Sequence, residues 1–254
     1  MNATTRYLGR LLAGAGLFGV ILGLSSCNWT TADNSSSNGY AWLMQYNAAA
    51  SEAGDSVSFG IAEVEDEESF LLRSVPYGDR EGYTGVFIGR REIRVFESDT
   101  SVAAASAIAE LEEDQYYAAF VYSANNSIDQ TVLVTRIPQE QEITSGKTRA
   151  QFVNLLTNTD SPERIRAVRA DTGTELATGI GRGRSSGYLE LDPLDAAIRF
   201  LDESDTEVAT SEGADLPAGR SYTVWLRGVQ PDSTSFGGDP DEAPVTVRVD
   251  RDHD

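Results

Sequence analysis

Ile93-Arg94-Val95-Phe96-Glu97-Ser98-Asp99-Thr100 recurs as Ile198-Arg199-Phe200-Leu201-Asp202-Glu203-Ser204-Asp205-Thr206, with one residue inserted and the Glu-Ser-Asp-Thr quartet intact. The repeat extends in both directions. Upstream, Gly82-Tyr83 matches Gly187-Tyr188. Further upstream, Leu43-Met44-Gln45-Tyr46-Asn47 matches Ala150-Gln151-Phe152-Val153-Asn154 in character, and an Asn closes each run. Downstream, Gln115-Tyr116-Tyr117-Ala118-Ala119-Phe120-Val121 matches Arg220-Ser221-Tyr222-Thr223-Val224-Trp225-Leu226. Most of these pairs stand 105 positions apart. Self-similarity at a fixed period marks repeated structural units, so a tandem pair of domains fits better than one large domain.

The matched runs alternate in the manner of strands. In Ser221 to Gly228, Tyr222, Val224 and Leu226 fall on one face and Thr223, Trp225 and Arg227 on the other. Ile198 shares a face with Phe200, and Ile93 with Val95. The Glu-Ser-Asp-Thr segment supplies side chains that bond their own backbone in tight reversals. Gly and Pro punctuate the chain between short runs rich in Val, Ile, Phe and Tyr, and no long amphipathic helical pattern is present. That spacing predicts an all-β sandwich or barrel. Ser101 to Glu113 is Ala-rich and helical by propensity; its partner in the second copy is short and strand-like, so a strand is expected there too.

Leu216-Pro217-Ala218-Gly219-Arg220-Ser221-Tyr222 places Leu six residues before Tyr, and Leu111 stands six before Tyr117. The spacing resembles the tyrosine corner of immunoglobulin-like sandwiches, in which a Tyr hydroxyl bonds back to the connecting turn. Leu111, Tyr117, Leu216 and Tyr222 are thus expected to be structural. The expected fold is two tandem immunoglobulin-like β-sandwich domains, over 39–138 and 148–250, with a linker over 139–147 and an acidic tail over 251–254. The chain also resembles the bacterial domain-of-unknown-function family 4397 across nearly all of residues 40–250. The matching positions are Phe152-Val153-Asn154, Gly187-Tyr188, Ile198-Arg199-Phe200 and Leu216 to Gly228, with Tyr46-Asn47, Val75-Pro76-Tyr77-Gly78, Gly82-Tyr83 and Gln115 to Val121 in the first copy. The Asp/Pro-rich loop of that family survives only as Asp160-Ser161-Pro162. The resemblance implies an immunoglobulin-like fold and an envelope location, and it implies no reaction.

The N-terminus has the order of a secretory signal. Arg6 and Arg10 precede an apolar stretch from Leu11 to Leu24, and Leu24-Ser25-Ser26-Cys27 follows. About 14 apolar residues fall short of the roughly 20 that span a bilayer, so a retained transmembrane helix is the weaker reading. Leu24 to Cys27 resembles the bacterial lipobox. The resemblance implies a signal peptide over 1–26, cleavage between Ser26 and Cys27, a lipid on the Cys27 thiol and a fatty acyl chain, such as palmitate, on the new amino terminus. Several acyl chains anchor stably where one would not. Asn28 follows the cysteine, which by resemblance to Gram-negative sorting implies the outer membrane, facing periplasm or exterior. Cys27 is the only cysteine, so no intrachain disulfide can form. Thr30 to Asn38 is Thr/Ser/Asn-rich, and 27–38 reads as a lipidated Cys on a flexible tether.

The chain has 40 Asp and Glu against 20 Lys and Arg, a formal net charge of −20. Loss of residues 1–26, with two Arg and no acid, makes the balance more acidic still. Such a surface repels nucleic acid, so none is expected as a partner. His253 is the only histidine and stands at the end of the chain, which removes Ser-His-Asp and Cys-His triads and multi-histidine metal sites. Ser145-Gly146-Lys147-Thr148 lacks the first Gly of a phosphate-binding loop and reads as interdomain linker, and Gly179-Ile180-Gly181-Arg182-Gly183 has no helix after it and reads as a strand-to-strand turn.

Two loops carry functional candidates. Tyr77-Gly78-Asp79-Arg80-Glu81-Gly82-Tyr83 could bind glycan or peptide through Tyr77, Asp79, Arg80 and Tyr83; the alternative is packing at a sandwich edge. Asp239, Asp241 and Glu242 could hold a hard cation; the alternative is a solvated hairpin. No cofactor is expected. The sequence points first to a lipid-anchored, non-catalytic envelope module that binds, adheres or spaces, with the membrane and an envelope glycan or protein as partners. A calcium-stabilised adhesin-like module and an envelope polysaccharide hydrolase with a carboxylate pair are the alternatives.

Overall fold

A computed structural model describes residues 39–49, 56–64, 66, 68–97, 102–123, 130–157, 161–228 and 245–252. Ser26 and Cys27, the tether, the candidate cation loop with Asp239, Asp241 and Glu242, and His253 lie outside the described residues.

The first repeat forms eight strands: β1 (Tyr40–Ala48), β2 (Ser56–Glu63), β3 (Phe70–Pro76), β4 (Arg80–Phe87), β5 (Gly89–Glu97), β6 (Ala105–Leu111), β7 (Tyr116–Ser123) and β8 (Gln130–Ile137). They build two sheets, β4-β1-β7-β8 and β3-β2-β5-β6. Every pairing is antiparallel except β1 with β7. Between the sheets lie Leu43, Phe59, Val75, Ile93, Val95, Leu111 and Tyr117, all buried. The Ala-rich segment is the strand β6, with Ala105, Ala107 and Ala109 turned to this core.

The second repeat forms β9 (Thr148–Leu156), β10 (Arg164–Arg169), β11 (Glu175–Gly181), β12 (Arg184–Leu191), β13 (Leu194–Asp195), β14 (Ile198–Leu201), β15 (Glu207–Thr210), β16 (Asp215–Leu216), β17 (Ser221–Gly228) and β18 (Thr246–Arg251). The sheet orders β12-β9-β17-β18 and β11-β10-β14-β15 repeat the first copy strand for strand, with β9 and β17 as the parallel pair. One difference is local. The β5–β6 ladder runs unbroken from Gly89–Leu111 to Val95–Ala105. Its counterpart is split into β13–β16, joined at Leu194–Leu216, and β14–β15, joined at Arg199–Thr210. At the break, Ser211 Oγ accepts the Ile198 N–H at 2.9 Å and so replaces a ladder bond.

The all-β tandem sandwich is therefore present, with connections of its own. Numbered along its chain, an immunoglobulin constant domain orders its sheets 1-2-5-4 and 3-6-7. Here the first strand is central, between the fourth and the seventh. The feature that suggested immunoglobulin kinship is local: the Glu112 N–H donates to Tyr117 Oη at 3.0 Å, across the turn entering β7. A corner of this kind depends on one connection and does not report the order of the others. Leu216 and Tyr222 are buried at the equivalent corner.

The Asn that closes each first strand has one role, made twice. Asn47 Nδ2 donates to Val75 O at 3.0 Å, and Asn47 Oδ1 accepts the Ala49 N–H at 3.1 Å. Asn154 Nδ2 donates to Ile180 O at 3.2 Å, and its Oδ1 accepts the Leu156 N–H at 3.3 Å. The backbone carbonyls of the two Asn accept from Gly78 and Gly183, each at 2.7 Å. Both glycines have positive φ, 73° and 64°, which a side chain would strain.

The sandwiches share a third core. The outward faces of β4-β1-β7-β8 and β12-β9-β17-β18 meet through Tyr46, Phe120 and Ile137 on one side and Val153, Leu155 and Trp225 on the other. Tyr46 stacks on Phe120 at 4.4 Å and meets Trp225 edge-on at 5.6 Å. Equivalent residues contact reciprocally: Gly78 lies against Arg227, and Gly183 against Tyr122. This is the pattern of an isologous interface, made within one chain. The connecting segment holds one 3-10 turn, Glu140–Glu142. The second repeat also continues past residue 250. Arg251 ends β18, and Asp252, expected in a solvated tail, is buried because the strand carries it into the seam between the sandwiches.

Candidate binding groove at the seam

Alternation along β1 decides what the seam can present. Ala41 and Leu43 enter the first core, so Tyr40, Trp42, Met44 and Tyr46 point to the opposite face. The second sandwich covers Met44 and Tyr46, which are buried, and leaves Tyr40 and Trp42 48% and 37% exposed. Across the ladder from Tyr40 is Phe87, 52% exposed, with its ring 5.4 Å from that of Tyr40. Trp42 lies near-parallel to Tyr116 at 6.4 Å, and Tyr83 meets Tyr116 edge-on at 5.0 Å.

Beside this shelf is an open groove of about 840 Å³. Trp42, Tyr83 and Tyr116 form one wall, Gln139, Glu140 and Gln141 of the connector another, and Arg220, Arg251 and Asp252 of the second repeat close it. The groove thus exists only where the two sandwiches meet. Arg220 pairs with Glu140 across it.

The groove borders a buried polar network. Thr223 Oγ1 donates to Asp252 Oδ1 at 2.7 Å and Tyr188 Oη to Oδ2 at 2.9 Å, while the Asp252 carbonyl accepts from Tyr83 Oη at 2.5 Å. Burial pushes the Asp252 carboxyl up to about 7, and the charge of Asp250 adds to the rise; the Thr223 and Tyr188 hydrogen bonds and Arg80 oppose it. Asp250 accepts from Arg80 Nε at 3.2 Å and from Trp225 Nε1 at 2.7 Å. Burial, with Asp252 and Asp250 nearby, raises the Tyr46 hydroxyl well above its ordinary value, and burial with Asp252 nearby does the same to Tyr188. Of the two buried carboxylates, only Asp252 lines the groove. Among the described residues, no group of three or more His, Cys, Asp or Glu gathers to hold a metal ion.

The segment Tyr77–Tyr83, expected as a loop, is a tight turn over Tyr77–Asp79 followed by the start of β4, which carries Arg80 and Tyr83, and it faces the second sandwich. The Arg227 guanidinium lies 4.7 Å from the Tyr77 ring centroid. Asp79 is 3.5 Å from Arg248, whose guanidinium also donates to Gly78 O. Arg80 reaches Asp250 and Tyr83 reaches Asp252. The structure brings Arg80 and Tyr83 to the groove and places Tyr77 and Asp79 against arginines of the seam.

The shelf residues Tyr40, Trp42, Phe87 and Tyr116 were not singled out by sequence reasoning, although the repeat contains the signal. In the second copy their positions hold Lys147, Arg149, Asp192 and Ser221. There Lys147 Nζ pairs with Asp192 at 2.7 Å where Tyr40 stacks on Phe87, and Arg149 pairs with Glu190 at 4.0 Å where Trp42 stands opposite Gly85. The same strands form with charges at these places, so the fold does not require the aromatic rings.

No family model matches the chain, and no curated protein matches it in sequence. Among solved structures, a candidate cell adhesion protein from Parabacteroides distasonis is similar at 8% identity and a TM-score of 0.25, covering 84% of this chain and 99% of that one. The Bacillus anthracis TIE protein is similar at 9% identity and 0.24, covering 76% of this chain and 34% of that one. The fimbrial anchor protein Mfa2 from Porphyromonas gingivalis is similar at 8% identity and 0.23, covering 84% and 99%. At such TM-scores these likenesses support no statement about what this chain does.

Proposed function

We propose that this chain is a lipid-anchored, non-catalytic module of the cell envelope that binds a ligand in the groove between its two sandwiches. One observation carries the reading: an exposed aromatic shelf in the first repeat stands where the second repeat makes ion pairs. Exposed aromatic rings beside convergent polar groups are the usual make-up of a recognition surface. The lipobox at Leu24 to Cys27 supports the anchor, and the resemblance to domain-of-unknown-function family 4397 belongs to the same proposal.

The full-length chain, probed against an array of envelope polysaccharides and surface proteins, is expected to bind a restricted set of spots. Silence on every spot would leave a spacer and overturn the binding role. For the anchor, a Cys27→Ser chain is expected to leave the detergent phase on fractionation; retention there would count against lipidation.

A further inference from the structure

We propose that the groove takes a neutral oligosaccharide, laid with its pyranose rings against Trp42 and the neighbouring aromatic side chains. The inference rests on the groove being the binding surface and adds the class of ligand. Three observations lead to it.

The first is the kind of surface. Trp42 and Tyr40 stand two residues apart on one strand, roughly 7 Å at about 3.4 Å per residue. With Phe87 and Tyr116 they present a row of aromatic rings, and the partly positive C–H groups on a pyranose face suit the negative face of such rings. At the rim the amide oxygen of Gln141 and the guanidinium of Arg251 can address ring hydroxyls, while the Gln139 amide is held by Asp114 O, to which it donates at 2.8 Å, and by Gln141, from which it accepts.

The second is backbone pairing. Trp42 and Tyr116 lie on β1 and β7, each hydrogen-bonded to a strand on both sides. A peptide therefore cannot add a strand beneath them, which is the common way a sheet captures an extended peptide. At Trp42 and Tyr116 the surface offers side chains only, as a carbohydrate surface does, whereas Phe87 stands on β4 at the edge of the sheet.

The third is charge. A formal net charge of −20 repels polyanions at long range. Of the three arginines at the groove, Arg220 is paired with Glu140 and Arg80 with Asp250, while Arg251 forms no ion pair among the described residues and is the one cation left to a ligand. The arrangement favours an uncharged chain of sugars over uronic acid or sulfated polymers. The shelf is also continuous with the face that the second sandwich buries, so a bound oligosaccharide would extend an interface already made.

Full-length protein would be titrated with cellohexaose, maltohexaose, chitohexaose, mannohexaose and hexagalacturonate, followed by calorimetry and tryptophan fluorescence. At least one neutral hexamer is expected to bind with a stoichiometry of one and to change the emission. Two variants that carry the second repeat's residues, Trp42→Arg and Tyr40→Lys/Phe87→Asp, are each expected to weaken that binding at least about tenfold. Hexagalacturonate is expected to bind at least about tenfold more weakly than the best neutral hexamer. If no neutral hexamer binds while the chain still binds protein spots on the array, the ligand class is overturned and the binding role stands. If a Cys27→Ser chain instead sediments with phosphatidylcholine vesicles, and Trp42→Arg abolishes this, the shelf is a membrane-contact surface and the assignment to sugar fails. Neutral-hexamer binding left intact in both shelf variants would also overturn it.

Discussion

Asn47 and Asn154 each tie a first strand to the end of the third strand and to the glycine after it. Both are fully buried, so losing the side chain strands a carbonyl and an amide away from water. Asn154→Ala is expected to cost about 1–3 kcal/mol in urea unfolding, and a neutral result would show that neighbouring groups replace its bonds. Asp252 makes a prediction with a sign. Its folded carboxyl sits at about 7, against about 3.9 for an unfolded Asp. Between those values the folded chain holds a proton that the unfolded chain has released, so this group's contribution falls as pH rises from about 4 to about 7 and is flat above. Wild type should therefore lose more stability than Asp252→Asn between pH 5 and pH 8; equal losses would contradict the placement of this carboxyl in the seam. The two Asn were legible in the sequence as strand-closing residues. Their partners were not, because Val75 and Ile180 lie 28 and 26 residues away. The burial of Asp252 is hidden for a related reason, since nothing local distinguishes a buried acid from one in a solvated tail.

Strand β7 shows what a single element tells and withholds. Its sequence, Tyr-Tyr-Ala-Ala-Phe-Val-Tyr-Ser, is an almost continuous apolar run, with all but the first residue buried. Such runs belong to strands covered on both faces, and this one has the first core on one side and the seam on the other. The equivalent strand β17 alternates more visibly, yet Trp225 on its second face is fully buried against Tyr46. Alternation gave the strands and their inner faces; it did not show that the outer faces meet each other. The strand order was also hidden, because the tyrosine corner constrains one connection. Trp225→Ala should cost about 3–5 kcal/mol. If the seam were a loose contact, the loss would be far smaller and confined to the second repeat.

At the scale of the molecule, the pairing of the repeats is close to two-fold in geometry and unequal in chemistry. Leu133, Thr135 and Ile137 on β8 correspond to Arg248 and Asp250 on β18 and to Asp252 just beyond its end, by their pairing with Phe120, Ala118 and Tyr116 or with Trp225, Thr223 and Ser221. One side of the seam is thus mainly apolar, while the other meets the Tyr77–Tyr83 segment through charges. Because both sandwiches contribute to one core, calorimetry should show a single unfolding transition; two resolved transitions would mean that the seam adds little. The same inequality leaves the aromatic shelf on one repeat only. The fold accepts ion pairs in its place, so the rings call for a reason outside the fold. The most direct measurement copies the second repeat into the first as Tyr40→Lys/Trp42→Arg/Phe87→Asp, then compares the melting temperature and array binding of this chain with wild type. The melting temperature is expected to stay within a few degrees of wild type while the bound spots are lost. Full binding by the substituted chain would show that the aromatic shelf is not the recognition surface.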